Sequence, residues 1–173
     1  MNIELIKHPS ADDWMLAYDC ALNTIGKRAV RPPTDDWKRR ILRARHSPIR
    51  ELKFVFRLTD IPYYVSVHLC RHIHARPYVG SQRNDRQDKY DRRKAPQDTP
   101  VNMIWSMEAE ELIQIANKRL CGKADPATRE VIRRMCDLVL DVCPEFSDEL
   151  VPMCIRNSGV CYEMFPCGRS ANE

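Results

Sequence analysis

The sharpest pattern in the chain runs from Leu52 to Thr59. Leu52, Phe54, Phe56 and Leu58 alternate with Lys53, Val55, Arg57 and Thr59. A two-residue period turns one set of side chains toward a core and the other toward water, so this stretch reads as a strand. Residues 2–7 read as a short edge strand ahead of it. Between the two, the period lengthens. Trp14, Leu16, Ala17, Cys20, Ala21 and Ile25 fall near helical spacing, which predicts a helix over 11–26 with Ser10 as its cap. Pro32 and Pro33 interrupt the chain. Thr34 then caps a second helix, and Asp35 and Asp36 in its first turn suit the positive end of the helix dipole. This helix is expected to end near His46 and Pro48.

The stretch IPYYVSVHLCRH, residues 61–72, is ambiguous by period alone. Val65, Val67 and Leu69 alternate as a strand would, whereas Asp60 as a cap and Pro62 in a first turn favour a helix, which is the reading adopted. Residues 74–99 are polar and basic and lack periodicity, and an irregular segment of that length tends to be functional or disordered. From Ser106 to Leu120 the pattern is helical, with Ala109, Leu112, Ile113, Ala116 and Leu120 on one stripe. Arg119 lies seven residues after Leu112, near that apolar side, where a charge needs an anionic partner or must snorkel. Asp125 caps a last helix that opens on Pro126 and carries Val131, Met135, Leu138 and Val142 as its core stripe. These elements predict an α+β domain with a small, mainly antiparallel sheet packed with helices.

Charge sharpens the picture. Of the net +4, residues 71–94 contribute eight Arg or Lys against three Asp, and the rest of the chain is slightly acidic. One segment holds the positive excess, which points to an anionic ligand such as a phosphate group, or to nucleic acid. No apolar run approaches the ~20 residues of a membrane span, and MNIELIKHPSADDW lacks the basic-then-apolar form of a signal peptide, so the expected compartment is the cytoplasm.

The stretch RHSPIRELKFVFRLTDIPYYVSVHLCRHIHARPYVGSQR, residues 45–83, resembles the flavin-dependent thymidylate synthases (the ThyX family). Those proteins have a His-x-Ser-type turn, an alternating strand, and a helix ending in Arg-His-Arg, followed seven residues later by Ser-x-Arg. Arg71 and His72 hold the first two places of that motif, and Ser81 and Arg83 fall at the required spacing. Downstream, ELIQIANKRLCGKADPATREVI is similar to the family's late helix ending in Arg and to the helix after it, with Arg119, Ala127 and Glu130 at matching places. The chain also departs from the family. Ile73 stands at the third motif position, Arg76-Pro77-Tyr78-Val79 replaces Ser-x-Asn-Glu, and His68 replaces a Gln. Arg50-Glu51 stands for Glu-His, and residues 84–99 stand where the family has helices carrying a further nucleotide-binding Arg.

The resemblance implies an enzyme that moves a one-carbon unit from methylenetetrahydrofolate to dUMP with reduced FAD, and with NADPH as the ultimate reductant. It implies a homotetramer whose flavins are held by several subunits. Arg71, His72 and His68 would contact FAD. Ser81, Gln82, Arg83 and Arg119 would bind the nucleotide. Arg119 and Ser81 would be the catalytic candidates, Arg119 between flavin and uracil and Ser81 as a positioning hydroxyl rather than a nucleophile. Arginine forks suit phosphates and paired carbonyl edges, so the basic segment is chemistry such ligands require.

Two other functions stand beside this one. A basic, zinc-containing nucleic-acid-binding module would use the 71–94 segment with Tyr78 and Tyr90 for stacking; a degenerate homologue would bind flavin without turnover. Cysteine usage bears on the first. Eight cysteines in a reducing compartment are not expected to form disulfides. Cys154, Cys161 and Cys167 follow a C-x6-C-x5-C spacing among glycines and a proline, and Cys121 beside Gly122 is the best fourth member. A structural zinc site of Cys121, Cys154, Cys161 and Cys167 is one expectation, and reduced thiols are the other. The chain therefore divides into a catalytic domain over 1–150 and a Cys-rich tail over 151–173.

Overall fold

In the computed structural model, which describes residues 1–168, the alternation around Phe54 becomes the second of four strands. These are β1 (Asn2–Lys7), β2 (Lys53–Pro62), β3 (Arg76–Val79) and β4 (Pro100–Glu108), in the antiparallel order β1-β2-β4-β3. The register aligns one apolar face. Phe54 pairs with Met107, Phe56 with Trp105 and Leu58 with Met103, and all six side chains are buried. Leu5 continues the Phe56 row and Pro77 the Trp105 row on the outer strands. The opposite face, with Arg57, Ile104 and Tyr78, is open to water, as one-sided antiparallel sheets allow.

Helices cover the apolar face. They are α1 (Ala11–Asn23), α2 (Asp35–Ala44), α3 (Tyr63–Cys70), α4 (Ala109–Arg119), α5 (Pro126–Val142) and the single turn α6 (Met153–Arg156). Ser10 caps α1 in a full capping box with Asp13, Thr34 accepts from the Trp37 N–H of α2, and Asp125 accepts from the Thr128 N–H of α5. Leu112, Ile113, Ala116, Val131, Met135 and Val139 bury the facing stripes of α4 and α5. The architecture is thus the expected α+β one, and no helix among the described residues is long and apolar enough to cross a membrane.

Three local expectations are corrected. The helix at 61–72 forms, but Asp60 does not cap it. Asp60 lies within β2 at φ 54, where a bulge between Leu58 and Ile61 turns the strand, and its N–H donates to Asn102 Oδ1 at 3.0 Å. Pro62 takes the cap position instead. The segment 74–99 is not wholly irregular, because Arg76–Val79 pairs with β4 as an edge strand, a place that tolerates Pro77. Ser106–Glu108 is strand rather than helix. Val101, Met103, Trp105 and Met107 alternate inward, and β4 passes into α4 with no loop, the Ala109 N–H bonding the Leu52 carbonyl at 2.8 Å.

The chain after α5 is tied to the core by one fully buried amide. Asn117 Nδ2 donates to the carbonyls of Glu149 and Val151 at 2.8 and 2.7 Å, and its oxygen accepts from Arg45. Arg156 of α6 adds contacts to Glu149 at 2.6 Å and to the Arg43 carbonyl at 2.8 Å. Residues 169–173 of the expected tail lie outside the described residues.

Candidate functional site

The strand-to-helix passage at Pro62 points α3 across the sheet, and its C-terminal end delivers His68, Arg71 and His72 beside the last turn of α4. There the Arg119 guanidinium donates through Nε to His72 Nε2 at 3.0 Å and through Nη2 to the His68 carbonyl at 3.2 Å. Because His72 Nε2 accepts, its ring proton sits on Nδ1. Nδ1 faces Glu111 Oε1 at 3.6 Å, and the ring lies 6.2 Å from that of Trp105. Glu111 is 5% exposed. A buried acid thus lies beside the histidine that accepts from the arginine.

Arg119 forms no ion pair among the described residues. Burial pushes its guanidinium below the ordinary arginine range, and the neighbouring Arg71 charge acts in the same direction. Two cations brought together without a neutralising acid make a place where an anionic or electron-rich ligand is favoured.

A second chain of contacts holds His68. Thr128, fully buried, donates its hydroxyl to Asp125 Oδ1 at 3.0 Å, so its oxygen accepts from His68 Nδ1 at 2.9 Å. The second ring nitrogen of His68 is left as an acceptor. The Thr128 N–H, followed by burial acting the other way and then the Thr128 hydroxyl, sets the Asp125 carboxyl, which lies below its ordinary value. Glu111 and Thr128 were not among the residues expected from the sequence. A Glu in a helix and a Thr three residues after a cap usually face water or finish a turn. Neither carries a local signal, because their contacts arise only when α3 packs beside α4 and α5.

Ser81, Gln82 and Arg83 are placed elsewhere. Ser81 lines a cavity of about 390 Å3 with Asp60, Gln87, Lys89, Tyr90 and Asn102. Its Oγ accepts from the Arg83 N–H at 3.2 Å, and Arg83 is paired with Asp85 through contacts of 2.8 and 2.6 Å. No histidine is hydrogen-bonded to Ser81 among the described residues. Gln82 buries an amide nitrogen that has no hydrogen-bond partner among the described residues. No hydrogen bond or ion pair among the described residues joins this group to the Arg119 cluster.

The four tail and loop cysteines do converge. Cys121, Cys154, Cys161 and Cys167 line one cavity of about 120 Å3. The expected tetrahedral set is not assembled, because among the described residues no three Cys, His, Asp or Glu groups are placed to hold a metal ion.

The α+β fold of one open antiparallel sheet packed with helices is shared with known proteins. The chain is similar to thymidylate synthase X from Helicobacter pylori solved with FAD and dUMP, at 14% identity and a TM-score of 0.70, over 87% of this chain and 99% of that one. A second H. pylori structure, flavin-dependent thymidylate synthase complexed with FAD and dUMP, is similar at 14% identity and a TM-score of 0.62, over 80% and 93%. The model of the thymidylate synthase complementing protein family matches residues 86–145. No curated protein matches the chain. The chain thus shares its fold with these two structures, and residues 86–145 match the model of that family. The family match begins inside the 84–99 segment that departs most from the expected pattern, and it takes in α4, Arg119 and most of α5.

Proposed function

We propose that the protein is a flavin-dependent thymidylate synthase, which uses reduced FAD to transfer a one-carbon unit from methylenetetrahydrofolate to dUMP. The observation that carries this reading is Arg119, a partly desolvated guanidinium held by the His72 ring and the His68 carbonyl, with no acid partner among the described residues and beside Arg71. The site residues fit the cofactor, because a pyrophosphate or an electron-rich ring edge supplies the negative partner that the protein withholds. FAD, when bound, would supply the reducing equivalents.

The chain's own residues then have separable tasks. Arg119 directs its remaining N–H groups at a carbonyl edge and favours negative charge as it develops there. Glu111 keeps His72 in the tautomer that accepts from Arg119. Arg71, exposed at the end of α3, is free to reach a phosphate. Gln82 offers its unpartnered amide to the nucleotide, and Ser81 and Arg83 position it. No hydrogen bond or ion pair among the described residues links the Ser81 group to the Arg119 cluster, and the reading takes the sites to be shared between subunits of a homo-oligomer, with NADPH as the electron source.

The test is the visible spectrum of the purified protein with added FAD, followed by dUMP titration and assay of dTMP formation. A bound-flavin spectrum perturbed by dUMP, with turnover, supports the reading. Flavin binding without turnover would make the protein a degenerate homologue. Absence of flavin uptake together with salt-sensitive RNA or DNA binding would replace it with the nucleic-acid reading.

A further inference from the structure

Beyond residue 156 the chain is held by little that hydrophobic burial explains. Residues 159–168 form no helix or strand, and Val160, Tyr162, Met164 and Phe165 are exposed. The tail nevertheless returns to the loop after α4. Lys118 pairs with Glu163 at 2.7 Å. At Gly122 a Cβ would stand 3.4 Å from both Cβ and Sγ of Cys167, so the loop and the tail lie in direct contact. Ordering such a segment loses chain entropy, and a short tail whose apolar side chains stay exposed can offset that loss with a cross-link or a metal.

The residues at that contact are thiols. Cys121 comes from the loop after α4, Cys154 from α6, and Cys161 and Cys167 from the tail, and the four line a single small cavity together with Asn117, Lys118 and Pro152. The remaining cysteines are elsewhere. Cys136 and Cys143 are buried with α5, and Cys20 and Cys70 belong to α1 and α3. Convergence of these four out of eight, from three separated parts of the chain, is not expected of thiols that merely fill space.

We propose that Cys121, Cys154, Cys161 and Cys167 bind one zinc ion that staples the tail to the end of α4. Four thiolates are a soft, closed donor set of the kind that selects zinc for structural sites. Each thiol gives up its proton to solvent as its sulfur binds. The sulfurs must close to about 2.3 Å from the ion. Since no three potential ligands are so placed among the described residues, metal binding draws the tail inward. The Lys118–Glu163 pair and the Gly122 contact already set its approach. Cys121 lies two residues beyond Arg119, so the staple would also steady the turn that presents Arg119.

The test uses the full chain, reduced and freed of metal by chelation. Zinc is returned and quantified after gel filtration, and cobalt(II) is titrated as a spectroscopic substitute. One zinc per chain is expected, with the intense sulfur-to-cobalt charge-transfer and ligand-field bands of a tetrahedral thiolate site. Cys121→Ser and Cys161→Ser are expected to lose metal affinity by at least tenfold. Cys20→Ser and Cys70→Ser are expected to keep it, and circular dichroism checks that all four variants fold. Absence of retained zinc and of a cobalt–thiolate spectrum in the folded, reduced protein overturns the proposal. So does equal loss in the control variants, a disulfide among the four cysteines in the freshly isolated protein, or an iron–sulfur chromophore. None of these outcomes depends on flavin binding, so the proposal stands or falls separately from the synthase reading.

Discussion

Arg119 is oriented by two histidines rather than by an acid, and that choice of partner decides what it can do. An acid would neutralise it; a neutral imidazole and a carbonyl orient it and leave its charge for a ligand. Arg119→Lys keeps a charge but loses the Nε donor and the planar fork, so it cannot satisfy His72 and a ligand together. It is expected to lower turnover about 100-fold, the scale of removing one oriented donor from a developing charge, with the thermal midpoint near that of the parent. Steady-state kinetics beside a melting curve measure both. Asp125 makes a second prediction at this scale. Its carboxyl lies below its ordinary value of 3.8, chiefly through the Thr128 N–H. A depressed carboxylate contributes stability that is fully present above the unfolded value and is lost as pH falls through the folded one. Asp125→Asn retains a capping oxygen and removes that titration, so denaturant midpoints recorded from neutral pH down through the carboxylate range should fall less steeply than in the parent. Parallel acid limbs would mean that Asp125 contributes nothing to the pH dependence.

At the scale of elements, the joints matter more than the strands and helices themselves. β4 runs into α4 and β2 into α3 without a loop, and these two passages bring the ends of α3 and α4 together around Arg119. The β2 pattern was legible because its outward positions are mostly polar. The β4 pattern was obscured by Ile104 on the open face and by Ser106–Glu108, which suit the helix that follows as well as the strand. The edge strand Arg76–Val79 is only four residues long and depends on pairing with β4, which no local period can reveal. Arg119, His72 and His68 could be found from motif spacing. Glu111 and Thr128 could not, because their roles arise only when α3 packs beside α4 and α5. Asn117 is the element-scale clamp. Asn117→Ala deprives two carbonyls and Arg45 of a buried partner at once, and should cost about 3 kcal/mol on the scale of a few unsatisfied buried groups. Urea unfolding gives the number; a loss within the scatter of surface substitutions would mean that water replaces the amide.

At the scale of the molecule, the two groups proposed to meet the ligands share no hydrogen bond or ion pair among the described residues. Arg119 with its histidines lies at the ends of α3 and α4, while Ser81, Gln82 and Arg83 follow β3, with Ser81 lining a cavity. Arg83 is meanwhile occupied by Asp85, a contact between exposed side chains that a phosphate can displace. If sites are shared between subunits, a nucleotide meets the Arg119 group of one chain and the Ser81 group of another; otherwise both come from one chain. Mixing separates these routes. Arg119→Lys damages one group and Arg83→Ala the other, so each homo-oligomer alone is expected to be poorly active. If sites are shared, exchanging subunits between the two variants creates some sites with an intact Arg119 from one chain and an intact Arg83 from another, and activity should rise well above that of either parent. Light scattering on the parent protein should then give a mass several times the 20.2 kDa of the chain. A monomeric mass, or a mixture no more active than its parents after full exchange, would place the whole site within one subunit and require the basic segment to fold over Arg119.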